Sequence, residues 1–74
     1  MVTIEEFIQL FTDQFDDVPA QPLTPETRFR ELKEWSSLVA LSVLSMIDED
    51  LHADITADAM RQAQTIQELY DKIQ

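Results

Sequence analysis

The sequence predicts an all-α domain, a small helical bundle of three main helices plus one short helix, with a long first loop. Three observations carry this. Apolar residues return at helical spacing in separate segments, beginning with Ile4, Phe7, Ile8, Phe11 and Phe15. Two Thr-x-x-Glu capping boxes, Thr3-Ile4-Glu5-Glu6 and Thr65-Ile66-Gln67-Glu68, mark helix starts. No stretch alternates apolar and polar residues for long enough to form a useful strand. The 74 residues are expected to form one domain over 1–74, and a chain of this size buries only roughly 60% of its surface.

The first helix is expected from about Ile4 to Phe15, its phenylalanine stripe facing the core. From Asp16 to Trp35 no periodicity persists, and Pro19, Pro22 and Pro25 each restrict themselves and the residue before them. So long a loop in so small a domain must be pinned to the core. Val18, Leu23, Phe29 and Leu32 are its expected anchors, with a turn at Thr24-Pro25-Glu26. The chain contains no glycine, so a helix end that needs a left-handed residue must use one with a Cβ.

The second helix is expected from Ser37 to Leu51 and is the most apolar segment. Leu38, Ala40, Leu41, Leu44, Ile47 and Leu51 share one broad face, assigned to the core. Val39, Val43 and Met46 fall on the other flank with Ser42 and Glu49. That flank either packs at a wide core edge or forms an exposed apolar strip rimmed by Asp48, Glu49 and Asp50, the build of a docking surface. Beyond it, Thr56 or Asp58 opens a short helix holding Ala59, Met60 and Ala63. The last helix carries Ile66, Leu69, Tyr70 and Ile73 inward.

Trp35-Ser36-Ser37-Leu38 places two hydroxyls at the mouth of the second helix, one more than capping needs. The second hydroxyl sits where free N–H groups and the helix dipole favour a phosphate. The segment Phe29-Arg30-Glu31-Leu32-Lys33-Glu34-Trp35-Ser36-Ser37-Leu38 resembles the stretch of acyl carrier proteins that ends in Asp-Ser-Leu. The likeness runs in register over nearly the whole chain and is strongest from Leu23 to Ile73. It implies that Ser37 carries phosphopantetheine through a phosphodiester, that Leu38 is the buried leucine after it, and that Ser36 stands in place of the usual Asp. It further implies a phosphopantetheinyl transferase and acyl-loading and acyl-processing enzymes as partners. They would dock over Ser36, Leu38, Val39, Ser42, Val43, Met46, Asp48 and Glu49. Ser42 stands where many carriers have an acidic residue, which shifts docking from mid-helix charge towards apolar contact.

Composition narrows the function classes. Fifteen Asp and Glu against five Lys and Arg give a net charge of −10, a surface that repels nucleic acid and anionic membranes and attracts basic partner faces. Without cysteine there is no disulfide and no thiolate ligand or nucleophile. His52 is the lone histidine. It lies about 20 Å of helix rise from Ser37, too far for a Ser/His couple within one chain. Neither His52 with Asp50 and Asp54 nor the run Asp48-Glu49-Asp50 has the ligand pattern of a metal site. No catalytic or metal residue is therefore assigned. A cytoplasmic, monomeric, non-enzymatic carrier is expected, because no apolar run reaches spanning length and the acidic start is unlike a signal peptide. Two alternatives stay open. One is an unmodified acidic helical interaction module on the same fold; the other is an aminoacyl carrier of the D-alanyl type.

Overall fold

A computed structural model describes residues 2–73. It contains α1 (Ile4–Thr12), a short 3-10 helix (Phe29–Glu31), α2 (Ser37–Leu51), α3 (Ala57–Gln62) and α4 (Ile66–Ile73), with no strand among the described residues. α1 packs against both α2 and α4, and α3 packs against α4.

α1 starts on the expected capping box. Thr3 Oγ1 accepts the Glu6 N–H at 3.2 Å, and the Glu6 carboxylate accepts the Thr3 N–H at 3.2 Å. Regular helix stops at Thr12, short of the expected Phe15. The next residues tighten to i→i+3 bonds, Gln14 N–H to the Phe11 carbonyl and Phe15 N–H to the Thr12 carbonyl, which still turn Phe15 inward. Phe7 and Phe11 are wholly buried, and their rings belong to an aromatic cluster with Phe15, Phe29, Trp35 and Tyr70. Tyr70 also donates its hydroxyl to the Val2 carbonyl at 2.5 Å, tying α4 to the start of the chain.

The long loop is held by backbone as well as by apolar side chains. The carbonyls of Thr27 and Pro25 accept the N–H groups of Ile66 (3.1 Å) and Gln67 (2.9 Å), so the loop satisfies orphan donors at the start of α4. Phe29 is buried, Leu23 and Leu32 are half-buried, and the turn after Thr24 forms. Val18 is not an anchor: it is 66% exposed, on a part of the loop that runs outside the core. The 3-10 turn that inserts Phe29 gave no periodic signal, because three residues are too few to repeat.

The second capping box forms with its return bond shifted. Thr65 Oγ1 accepts the Glu68 N–H, but the Glu68 carboxylate accepts from the Gln64 N–H, one residue before the cap. Thr56 caps α3 by accepting the Ala59 N–H at 3.0 Å, and Met60 and Ala63 are buried as expected.

α2 ends on His52, at φ 52° and ψ 40°, the single left-handed residue among those described. A residue with a Cβ in this region costs about 1–2 kcal/mol, which glycine avoids at C-caps. His52→Gly is therefore expected to stabilise the fold by about 1 kcal/mol, roughly 4–8 °C in melting temperature for a domain of this size. Thermal unfolding by circular dichroism checks it. An unchanged or lower melting point would mean that the imidazole contributes more than the left-handed backbone costs.

Candidate functional site

The site is assembled from the residues that precede α2. The Trp35 N–H donates to the Leu32 carbonyl at 3.1 Å. The indole stacks on Phe11 at 5.9 Å with planes 10° apart, and its centroid is 5.0 Å from that of Phe29. The residue just before the serine pair is thus fixed to the centre of the core.

Ser36 follows with extended backbone, φ −149° and ψ 171°. Its Oγ accepts the Val39 N–H at 3.3 Å and its carbonyl accepts the Ala40 N–H at 3.0 Å, so Ser36 is the N-cap. Ser37 is the first helical residue. Its side chain is exposed, and the cap bond is made by its neighbour. No carboxylate lies in the first turn of α2, so the positive end of a 15-residue helix faces solvent without an acidic side chain upon it. An exposed hydroxyl at such an end fits a phosphodiester: the acceptor is free, the cap is already supplied, and the local field favours negative charge.

Of the two readings open for the Val39, Val43 and Met46 flank the packed one holds, and the face assigned to the core is only partly buried. Val39, Val43, Met46 and Ile47 are buried, while Leu38 is 69% and Leu41 60% exposed. Ile47 alone of the expected core face is fully buried; Ala40, Leu44 and Leu51 are half-buried. The reason is geometric. Residues 39, 43, 46 and 47 occupy an arc of about 100° at helical spacing, which suits the narrow strip facing the aromatic cluster. The leucine face spans almost twice that arc. Val39, Val43 and Met46 thus cannot form an exposed docking strip, and Leu38 is not a buried leucine.

The expected docking residues separate accordingly. Leu38, Leu41, Ser42, Ser45, Glu49 and Asp50 line a shallow groove of about 510 Å³, which Gln14 and Asp16 close from the end of α1. Met46 reaches the groove floor, and Asp48 is exposed but lies outside its lining. Leu41 belongs to the larger apolar arc, which on size alone reads as core; its three-residue spacing from Leu38 is the signal that pairs them. On the α3 side of Ser37 a second groove, of about 480 Å³, is lined by Arg30, Trp35, Ala40, Leu41, Leu44, Ala57, Met60 and Arg61 together with Ser37 itself. Arg30 and Arg61 are 31 positions apart, so no local pattern announces their meeting.

His52 sits at the opposite end of α2 from Ser37. Among the described residues no group of three or more His, Cys, Asp or Glu is placed to hold a metal ion, and no helix is long and apolar enough to cross a membrane.

A family model described as a phosphopantetheine attachment site matches residues 5–73. No curated protein and no solved structure matches the chain. Members of this family carry covalently attached 4'-phosphopantetheine, are not catalytic themselves, and interact with phosphopantetheinyl transferases and acyl-processing enzymes. The match spans nearly all of the chain, and the bundle is helical throughout its described elements. The chain belongs to the phosphopantetheine attachment site family and is an acyl-carrier-protein-like carrier domain.

Proposed function

We propose that Ser37 is the attachment serine, and that the protein presents acyl groups to the enzymes of a fatty acid, polyketide or related pathway in the cytoplasm. The observation that carries this reading is the division of labour between the two serines. Ser36 is occupied as the N-cap, whereas Ser37 is exposed at the first helical position with no carboxylate in the turn that follows. On loading, the Ser37 hydroxyl loses its proton to the transferase and bonds to the pantetheine-side phosphorus of coenzyme A, as adenosine bisphosphate leaves. The arm's terminal thiol supplies the carrying chemistry by holding the acyl group as a thioester.

The chain's own residues set the address. Leu38 and Leu41 offer an exposed apolar centre, with Glu49, Asp50 and Asp16 as its charged edge, to partners with basic and apolar docking faces. Ser42 adds a hydroxyl where charge would otherwise stand. The serine substituted for Asp at position 36 keeps the cap and gives up a negative charge beside the site, so transferase recognition rests more on the leucine pair.

The test is intact mass after incubation with coenzyme A, magnesium and a promiscuous phosphopantetheinyl transferase. Wild type and Ser36→Ala are expected to gain one phosphopantetheine, and Ser37→Ala none. A gain lost only in Ser36→Ala would move the site by one residue. No gain in any folded form would refute the carrier reading and leave an unmodified interaction module.

A further inference from the structure

Cations are scarce in this chain, five against fifteen carboxylates. Two of the five, Arg30 and Arg61, nevertheless line the groove that contains Ser37. The 3-10 helix brings Arg30 there and the end of α3 brings Arg61. Arg30 is held in place twice: one guanidinium N–H donates to the Arg61 carbonyl, and the guanidinium carbon lies 5.8 Å from the centre of the Phe29 ring. A guanidinium has five N–H donors, so most of that fork stays available. Among the described residues Arg30 makes no ion pair, and Arg61 makes only an exposed pair with Asp58, of a kind worth little in water.

The rest of the groove wall is apolar: Trp35, Ala40, Leu41, Leu44, Ala57 and Met60. A phosphodiester on Ser37 would be followed, one methylene further on, by the pantoyl carbon with its two methyl groups. An anion with a compact branched hydrocarbon beside it is what a slot with guanidiniums and an apolar wall complements.

We infer that Arg30, assisted by Arg61, binds the phosphodiester of the arm and lays its pantoyl end in the groove between α2 and α3. Arg30 is a positioning residue. It turns the root of the arm towards α3 and leaves the Leu38–Ser42–Ser45 side of α2 open for partner enzymes. This rests on the assignment of the arm to Ser37.

The experiment compares unmodified and phosphopantetheine-loaded protein by NMR, reading the Arg30 and Arg61 Nε–H resonances and cross-relaxation between the pantoyl methyls and Met60 or Trp35. Loading should shift Arg30 Nε–H and give methyl contacts to Met60 or Trp35 that weaken in high salt. Arg30→Gln should lose those contacts, Arg30→Lys should keep part of them, and Lys33→Gln should keep them fully. Because Arg30→Gln also removes the bond to the Arg61 carbonyl, Arg61→Gln, which leaves that bond in place, is measured beside it and should weaken the same contacts. Loading confirmed by mass, with Arg30 Nε–H unmoved and no methyl contacts, would overturn this inference and spare the carrier assignment. No mass gain would overturn both.

Discussion

Val43→Asp is expected to leave no appreciable folded population at room temperature, while Leu41→Asp should move the melting temperature by only a few degrees. Val43 is fully buried against the core, and among the described residues no buried side chain is charged to partner a carboxylate there. Burying an unpaired charge costs several kcal/mol on top of the lost packing. A domain of this length has only about 0.05–0.15 kcal/mol of stability per residue in total. Leu41 is mostly solvent-exposed, and such surface substitutions stay within about 0.5 kcal/mol. Circular dichroism melts of both variants decide the matter. Equal destabilisation of the two would mean that the leucine face is packed after all, and the proposed docking groove over Leu38 and Leu41 would be lost with it.

Phe11→Ala should cost about 3–5 kcal/mol, the usual price of deleting a buried phenylalanine side chain. The upper part of that range is expected, because Phe11 is a junction and not merely a filler. Its ring centroid lies 6.0 Å from Phe7, 5.9 Å from Phe15, 5.5 Å from Phe29 and 5.9 Å from Trp35. Aromatic pairs of this kind contribute about 0.5–1.5 kcal/mol beyond area burial, although shared neighbours prevent simple addition. Through Phe29 and Trp35 the same ring ties the long loop to α1, so the variant should loosen the entry to α2 as well as the core. Urea unfolding gives the magnitude. A loss below about 1 kcal/mol, against that 3–5 kcal/mol expectation, would show that the cluster repacks freely around the gap.

What could be read from the sequence was what chain-local physics decides. The start of α1 followed from Thr3 and Glu6, both ends of α2 from Ser36 and the break after Leu51, and the start of α3 to within the pair Thr56 or Asp58, of which Thr56 is the cap. Each is a cap or a change of period within a few residues. The serine pair was legible for the same reason. The orientation of α2 was not, because the helix is apolar on nearly every side and carries two overlapping stripes. Only the shape of the aromatic surface across from it selects Val39, Val43 and Met46 over the leucines. The loop's chief fastening was also invisible, since the bonds from Ile66 and Gln67 to Thr27 and Pro25 join backbone groups far apart in sequence and need no particular side chain.

The position of Trp35 has an optical consequence. It is the sole tryptophan, it lies flat on Phe11, and it shares a groove wall with Ser37. Light absorbed selectively by the indole is therefore absorbed at the junction of core and site. The protein has a built-in fluorophore whose emission wavelength follows solvent entry as the bundle opens. Quenching by iodide or acrylamide would follow whether the groove is covered. Unfolding, loading and partner docking can each be followed on unlabelled protein through this one ring.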